Sequence, residues 1–421
     1  LSVPPSGPLS VEIIVSGSEL VNGRVSDVNG PFLANSLADM GIPCTGIQIL
    51  GDDSAILTQR LRQALSRSRV VILTGGLGPT DDDMTRQVLC DATGRLRVDF
   101  PTLAKHMPAS GPDGAELIKN PKGSAAGLWM DWDNHAVVAL PGVPWELTAM
   151  WPEVAARLVP LFADQPRPNR HMLRTVGLTE REVERRVLAA LGSPNKDRHP
   201  GMEIGVSAKP LAVDVYLSAD SPTQLNNAIA AAHTGLGDHI FTETADTLAE
   251  VVGAALRQAK VWVACAESCT GGAISAALTA VPGASDYVDR GVVSYSNDAK
   301  QSLLGVPNAL LVEHGAVSEP VAVAMAQGLL ARSQADIALS VTGIAGPGGG
   351  TPEKPVGLVV MALASADGTF CRSFHHAGDR ARVVQRTVTR GLDLIRRYLL
   401  GGHPGLSSHF PHHDGPPPRR Y

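Results

Sequence analysis

Aromatic residues are scarce in this chain, 4% of 421 positions. Its cores must therefore be built from Val, Leu, Ile and Ala. Cysteine is scarce too: five residues at irregular spacing. An odd, unpatterned set excludes a disulfide framework and points to a reducing, cytoplasmic setting. Cys265 and Cys269 stand close together without a matching second pair, so no zinc site is expected. Positive charge is not in excess; the formal net charge of −5 argues against direct binding to nucleic acid or an anionic membrane. No apolar run reaches the length of a membrane span, and no basic-then-apolar leader opens the chain. What is present is the composition of a soluble globular protein, 44% hydrophobic with a mean hydropathy of +0.04. At 421 residues it exceeds one typical domain, and two or three are expected.

The most informative stretch runs from Val261 to Gly272, an apolar β-branched segment ending in Glu267-Ser268-Cys269-Thr270-Gly271-Gly272. A helical pattern follows at once from Ala273 to Leu278. A strand, a glycine turn and a helix present side chains and free backbone N–H groups at one sheet edge. That setting suits a nucleophile beside an oxyanion or phosphate site. The plainer reading is a βα turn with a serine cap. Two further strands, Gly291–Ser296 and Ala335–Val341, also end in polar or glycine-rich turns, carrying Tyr295, Lys300 and Thr342. In an open α/β sheet such turns converge on one crevice. A serine needs a base, and these turns hold no histidine. A lysine desolvated in a crevice serves instead. Ser268, Lys300 and a hydroxyl relay through Tyr295 or Thr342 would make an amidase. Cys269 is a rival nucleophile, although its place after the turn favours packing.

These residues carry a resemblance. Ala266–Gly272, Tyr295–Lys300, His314–Pro320, Thr342–Pro347 and Glu353–Gly357 are similar to the C-terminal domain of the CinA family, named for competence and damage induction. The resemblance implies an α/β amidohydrolase over residues 245–400 acting on nicotinamide mononucleotide without a cofactor. Ser268, Lys300, Tyr295 and Thr342 are its expected catalytic residues. Glu267, Thr270, Gly271, Gly272, Gly343, Ala345, Gly346 and Arg380 are its expected substrate contacts; an arginine fork matches phosphate geometry.

The N-terminal half alternates strands and helices, which implies a mostly parallel sheet. Strand Val11–Val15 runs into Ser16–Gly23, strand Ile47–Leu50 into Gly51-Asp52-Asp53, and strand Val70–Leu73 into Thr74–Asp83. In the last turn glycines let backbone N–H groups approach a phosphate at a helix start. Asp81, Asp82 and Asp83 would repel a bare phosphate. They make sense if a divalent cation bridges carboxylates to a pyrophosphate. Alternatively they only cap the helix. Lys122–Gly127 and Leu140–Glu146 add glycine turns able to close over a nucleotide.

Gly17–Leu20, Asp27–Asn29, Gly75–Thr85, Asn120–Gly123 and Leu140–Pro144 resemble the same family's N-terminal domain. That domain has a molybdopterin-binding-like, three-layer α/β/α fold. The resemblance implies a pyrophosphatase on ADP-ribose using Mg²⁺, Mn²⁺ or Co²⁺. Asp82 and Asp83, with Glu19 or Asp52, are the expected metal ligands. Gly75, Gly76, Gly78, Thr80, Asn29, Pro141 and Gly142 are the expected substrate contacts. Ser18 stands where the family usually has threonine, and Phe100–Leu117 is short where the family has a longer insert. A shorter insert implies a more open pocket, tolerant of NAD-like dinucleotides with a modified nicotinamide ring.

The expected organisation is a flexible leader (1–10), the pyrophosphatase domain (11–165), a small α/β module likened to a KH domain (166–244), the amidase domain (245–400) and a disordered His-rich tail (401–421). The central module lacks a basic GXXG loop, so it is expected to act as a spacer, not a nucleic-acid binder. The family resemblance also implies a homodimer. Two functions remain open at this point: a two-headed hydrolase of pyridine-nucleotide salvage, and a nucleotide-binding regulatory protein with one or both sites inactive.

Overall fold

The computed structural model describes residues 9–78, 83–100, 109–164, 169–193 and 199–401. Residues 1–8 of the leader, the Gln165–Pro168 linker and the His-rich tail beyond residue 401 lie outside the described residues. So do Thr80, Asp81 and Asp82. Ser10, expected in the flexible leader, is instead buried, and its carbonyl accepts from Val70 N–H. The chain divides into two compact units, Leu1–Arg167 and Pro168–Tyr421. Both are α/β.

In the first unit the strands Cys44–Leu50, Val11–Ser16, Val70–Thr74 and His135–Leu140 lie side by side and parallel. Gly127–Trp132 and Glu116–Ile118 add to one edge antiparallel. Alternation along the strands builds two cores. Val11, Ile13 and Val15 face one way, against Leu33 and Leu37 of helix Asn29–Asp39 and Leu147, Val154 and Leu158 of helix Pro144–Leu161. Ile14, Val71 and Leu73 face the other way, against Leu57 and Leu61 of helix Ser54–Leu65 and Val88 and Leu89 of helix Thr85–Thr93. The period-two pattern on a sheet buried on both faces makes the three-layer sandwich. Helix Ser54–Leu65 starts where Asp53 accepts the N–H of Ile56, an ordinary carboxylate cap.

The second unit holds two sheets. Met202–Lys209, Ala212–Ala219, Asn169–Val176 and Ile240–Thr242 form an antiparallel four-stranded sheet, with helices Glu180–Ala190 and Pro222–Leu236 supplying Val183, Val187, Ala228 and Ala232 to its core. The five-stranded sheet places Val263–Glu267 between Val288–Val293 and Ile337–Gly343, all parallel. Leu358–Ser365 and Gly368–His375 continue it antiparallel. Val263 and Cys265 face helices Leu248–Ala259, Ala273–Thr279 and Arg380–Gly401. Ala264 and Ala266 face the Glu319–Leu330 helix. The two sheets are tied through helix Arg380–Gly401. Its Asp393 is fully buried between Arg396 and Arg397, while Arg396 donates to the Asp238 carbonyl at 2.6 Å. Among the described residues no helix is long and apolar enough to cross a membrane.

Candidate functional site

The five-stranded sheet brings Ser268 and Lys300 together. Ser268 follows strand Val263–Glu267 directly, and its N–H donates to Val341 O at 3.0 Å, which pins the turn to the neighbouring strand. Gly271 N–H closes the turn onto Ser268 O at 3.1 Å. Gly272, at φ 98°, then starts helix Ala273–Thr279 in a conformation that favours glycine. Strand Val288–Val293 ends sooner than its apolar pattern implies. Ser294 and Tyr295 lie past the strand, and Ser296 caps helix Asn297–Leu304 by accepting from Ala299 N–H. That cap orients the first helical turn and directs Lys300 inward.

Lys300 is 1% exposed. Its Nζ sits 3.0 Å from Ser268 Oγ, 2.8 Å from Ser294 O and 3.1 Å from Tyr295 O. Burial lowers its pKa below the ordinary lysine value. The partner set determines which proton leaves. Backbone carbonyls only accept, so Ser294 O and Tyr295 O each take an N–H. A neutral amine retains two N–H groups and one lone pair. As the ammonium, Lys300 also donates to Ser268 Oγ; once neutral it would turn its lone pair to Ser268, the single partner of the three with a proton to give.

The hydroxyls expected to relay are engaged elsewhere. Thr342 Oγ1 donates to Ala316 O at 2.8 Å. The Tyr295 ring is exposed and its hydroxyl accepts from Arg380 at 3.1 Å; only its backbone carbonyl meets Lys300. Arg380 also donates to Gly346 O at 3.1 Å, which holds the guanidinium between the Tyr295 and Gly346 turns. Glu267 is 1% exposed and its carboxylate accepts the N–H groups of Gly272, Ile274 and Ser275 together with the Ser275 hydroxyl. It holds the turn from beneath by capping a helix. The Cys269 thiol is packed in the core, with burial pushing its pKa up to about 12. Such a thiol is inert as a nucleophile. Among the described residues no backbone acceptor takes the N–H of Cys269 or Thr270, and the buried Thr270 hydroxyl has no partner. Gly343 and Ala345 continue the neighbouring turn, where Ile344 N–H bonds Leu358 O at 2.8 Å.

In the first unit the strand ends surround a cavity of about 560 Å³. Gly75, Gly76, Gly78, Asn29, Pro141 and Gly142 line it, as do Glu19, Asp52 and Asp83. Asn29 acts as a latch: its Nδ2 donates to Thr74 Oγ1 at 3.1 Å and Gly142 O at 2.7 Å, while Thr74 Oγ1 donates to Pro141 O at 2.9 Å. Gly75, at φ 107°, lies so close to the Ser16 carbonyl that a Cβ would collide with it. Thr85 Oγ1 donates to Gly75 O at 2.7 Å, fixing the glycine loop to helix Thr85–Thr93. Asp52 Oδ2 accepts from Ser18 N–H at 2.7 Å, so Ser18 secures the carboxylate that the cavity exposes. Among the described residues no three His, Cys, Asp or Glu side chains gather closely enough to hold a metal ion. Mg²⁺ is commonly held by one or two carboxylates plus substrate phosphates. Single carboxylates around this cavity are compatible with a divalent cation held jointly with a phosphate-bearing ligand. The cavity also exposes Trp145, to which the sequence pattern assigned no role.

Residues 12–160 match the model of the probable molybdopterin binding domain and residues 245–399 that of the CinA C-terminal domain. The chain is 39% identical over 416 residues to the CinA-like protein of Geobacter metallireducens, covering 93% of this chain and 100% of that one. It is 39% identical over 415 residues to the CinA-like protein of a Synechococcus species, covering 93% and 98%. Among solved structures, the competence/damage inducible protein CihA of Agrobacterium tumefaciens is 40% identical, covers 37% of this chain and 98% of its own, and has a TM-score of 0.35. With both domains matched and full-length relatives aligned nearly end to end, this chain belongs to the CinA family.

Proposed function

We propose that the chain is a cytoplasmic, homodimeric two-headed hydrolase of pyridine nucleotides. The second unit deamidates nicotinamide mononucleotide to nicotinate mononucleotide and ammonia, with no cofactor. The first unit splits the pyrophosphate of ADP-ribose and of NAD-like dinucleotides, including forms with a modified nicotinamide ring.

The observation that carries the reading is the buried contact of 3.0 Å between Lys300 Nζ and Ser268 Oγ, completed by two backbone carbonyls. Ser268 Oγ attacks the carboxamide carbon as its proton passes to the Lys300 lone pair. The tetrahedral adduct collapses, the C–N bond breaks, and nitrogen takes that proton and leaves as ammonia. Water then attacks the ester as Lys300 takes its proton, the C–Oγ bond breaks, Ser268 Oγ takes that proton back from Lys300, and the acid leaves as the carboxylate, losing its remaining proton to solvent. The N–H groups of Cys269 and Thr270, which take no backbone acceptor among the described residues, are suited to the oxyanion. Arg380 stands at the turn able to meet the phosphate. Because Lys300 meets Ser268 directly, the step needs no hydroxyl relay through Tyr295 or Thr342.

In the first unit Gly75, Gly76, Gly78 and Gly142 offer backbone to a pyrophosphate, and Glu19, Asp52 and Asp83 offer negative charge. A divalent cation bound there would neutralise the phosphates and polarise phosphorus toward water. The Asn29–Thr74 latch holds both loops in place for that ligand. The lack of a gathered metal set or catalytic pair among the described residues supports a second reading, in which this unit binds nucleotide without cleaving it.

Incubating the purified chain with nicotinamide mononucleotide and, separately, with ADP-ribose plus Mg²⁺, Mn²⁺ or Co²⁺ distinguishes the two. Ammonia from the first and AMP from the second are expected. Ammonia without AMP selects binding alone in the first unit.

A further inference from the structure

The nucleotide cavity of the first unit has an apolar rim that phosphate chemistry does not require. Trp145 is 68% exposed, and Val28 and Val25 are 54% and 55% exposed. All three line the same cavity, opposite in character to its glycine and carboxylate floor. An indole left this far in water is costly on a chain with so few aromatics, and it is held in a fixed place. Trp145 is the second residue of helix Pro144–Leu161, after the Gly142-Val143-Pro144 turn, whose Gly142 carbonyl the Asn29 latch holds. The next residue, Glu146, accepts from Asn120 Nδ2 at 2.7 Å, which ties the helix start to the 120–125 loop on the same wall.

Resting on the nucleotide reading above, we propose that Trp145, on a cavity that Val25 and Val28 also line, is a stacking platform for the planar heterocycle attached to the pyrophosphate. It takes the π-face of a base or pyridinium ring and leaves the ring edges unread. An aromatic face stacks on any base, because every base has a π-face. Such a platform separates nucleotides from plain pyrophosphate while tolerating substituents on the ring edge. Breadth toward modified rings then follows from the mode of recognition, and not only from an open pocket.

The test titrates the full chain, wild type, Trp145→Ala and Trp145→Phe, with ADP, ADP-ribose and inorganic pyrophosphate in Mg²⁺, by calorimetry and tryptophan fluorescence. Stacking predicts that Trp145→Ala weakens ADP and ADP-ribose about tenfold or more, that Trp145→Phe recovers most of the loss, and that pyrophosphate affinity is unchanged. Quenching by ADP should vanish in Trp145→Ala. Equal loss for ADP and pyrophosphate, or no loss for either, overturns the platform while leaving the nucleotide site standing. A changed molecular mass in light scattering with unchanged ADP affinity also overturns it, assigning Trp145 to a contact between copies. Failure of the wild type to bind ADP or ADP-ribose at millimolar concentration removes the nucleotide reading itself. The melting temperatures of the variants check that each is folded.

Discussion

The two candidate sites handle their polar groups in opposite ways. In the second unit a lysine and a serine are buried in direct contact, with the lysine also held by two backbone carbonyls. In the first unit carboxylates and glycine backbone line a cavity of about 560 Å³, and among the described residues no three His, Cys, Asp or Glu side chains gather there to hold a metal ion. On the function proposed above, the difference follows from the bonds to be broken. An amide demands a nucleophile and base within hydrogen-bond reach of each other, so the protein preassembles them. A pyrophosphate brings its own charge and cation-binding oxygens, so part of its site arrives with the substrate. On that proposal one site is finished by folding and the other by its ligand.

The largest effects should separate the two. Ser268→Ala and Lys300→Met should each lower deamidation on the order of 10³-fold or more and leave AMP release from ADP-ribose untouched. EDTA should do the reverse. Loss of both activities from either treatment would break the contrast. Next in size is a pH effect. Burial lowers the pKa of Lys300 below its ordinary 10.5. The amine is the active form, so kcat/KM for deamidation should fall with falling pH and level off above a break below 10.5. A rate still climbing beyond that value would contradict the buried base. Glu267→Ala leaves three backbone N–H groups and the Ser275 hydroxyl without their acceptor. It should destabilise the second unit by about 3 kcal/mol in urea unfolding, a structural cost distinct from catalysis. The smallest effect belongs to Cys269→Ala, which should change deamidation by less than about threefold, because a buried thiol with a raised pKa takes no part.

Strand-to-turn junctions were the legible part of this chain. The apolar run ending at Glu267 and the glycines after it announce a βα turn, and the structure puts Ser268 there. Lys300 was legible because Tyr295–Lys300 reads as a turn opening a helix, although the strand stops at Val293 and not at Ser296. What pairs Lys300 with carbonyls instead of hydroxyls was not legible. That outcome depends on where Ser294 and Tyr295 point after the strand ends, a matter of register against Val263–Glu267. The family resemblance made Glu267 an expected substrate contact; in the structure its carboxylate is taken up by the N–H groups that open the next helix. The antiparallel strand Leu358–Ser365 was missed because a continuous apolar run has no strand-specific period, and Gly368–His375 because its mixed composition shows no run at all. The exposure of Trp145 follows from its place at a helix start, which composition does not reveal.

Nicotinamide mononucleotide mixed with the full chain in EDTA, with ammonia and nicotinate mononucleotide both quantified, probes the Ser268–Lys300 pair most directly. Equimolar products are expected from the wild type and from Cys269→Ala, with neither product from Ser268→Ala. Ammonia from Ser268→Ala at the wild-type rate, or none from the wild type, would contradict a serine–lysine amidase.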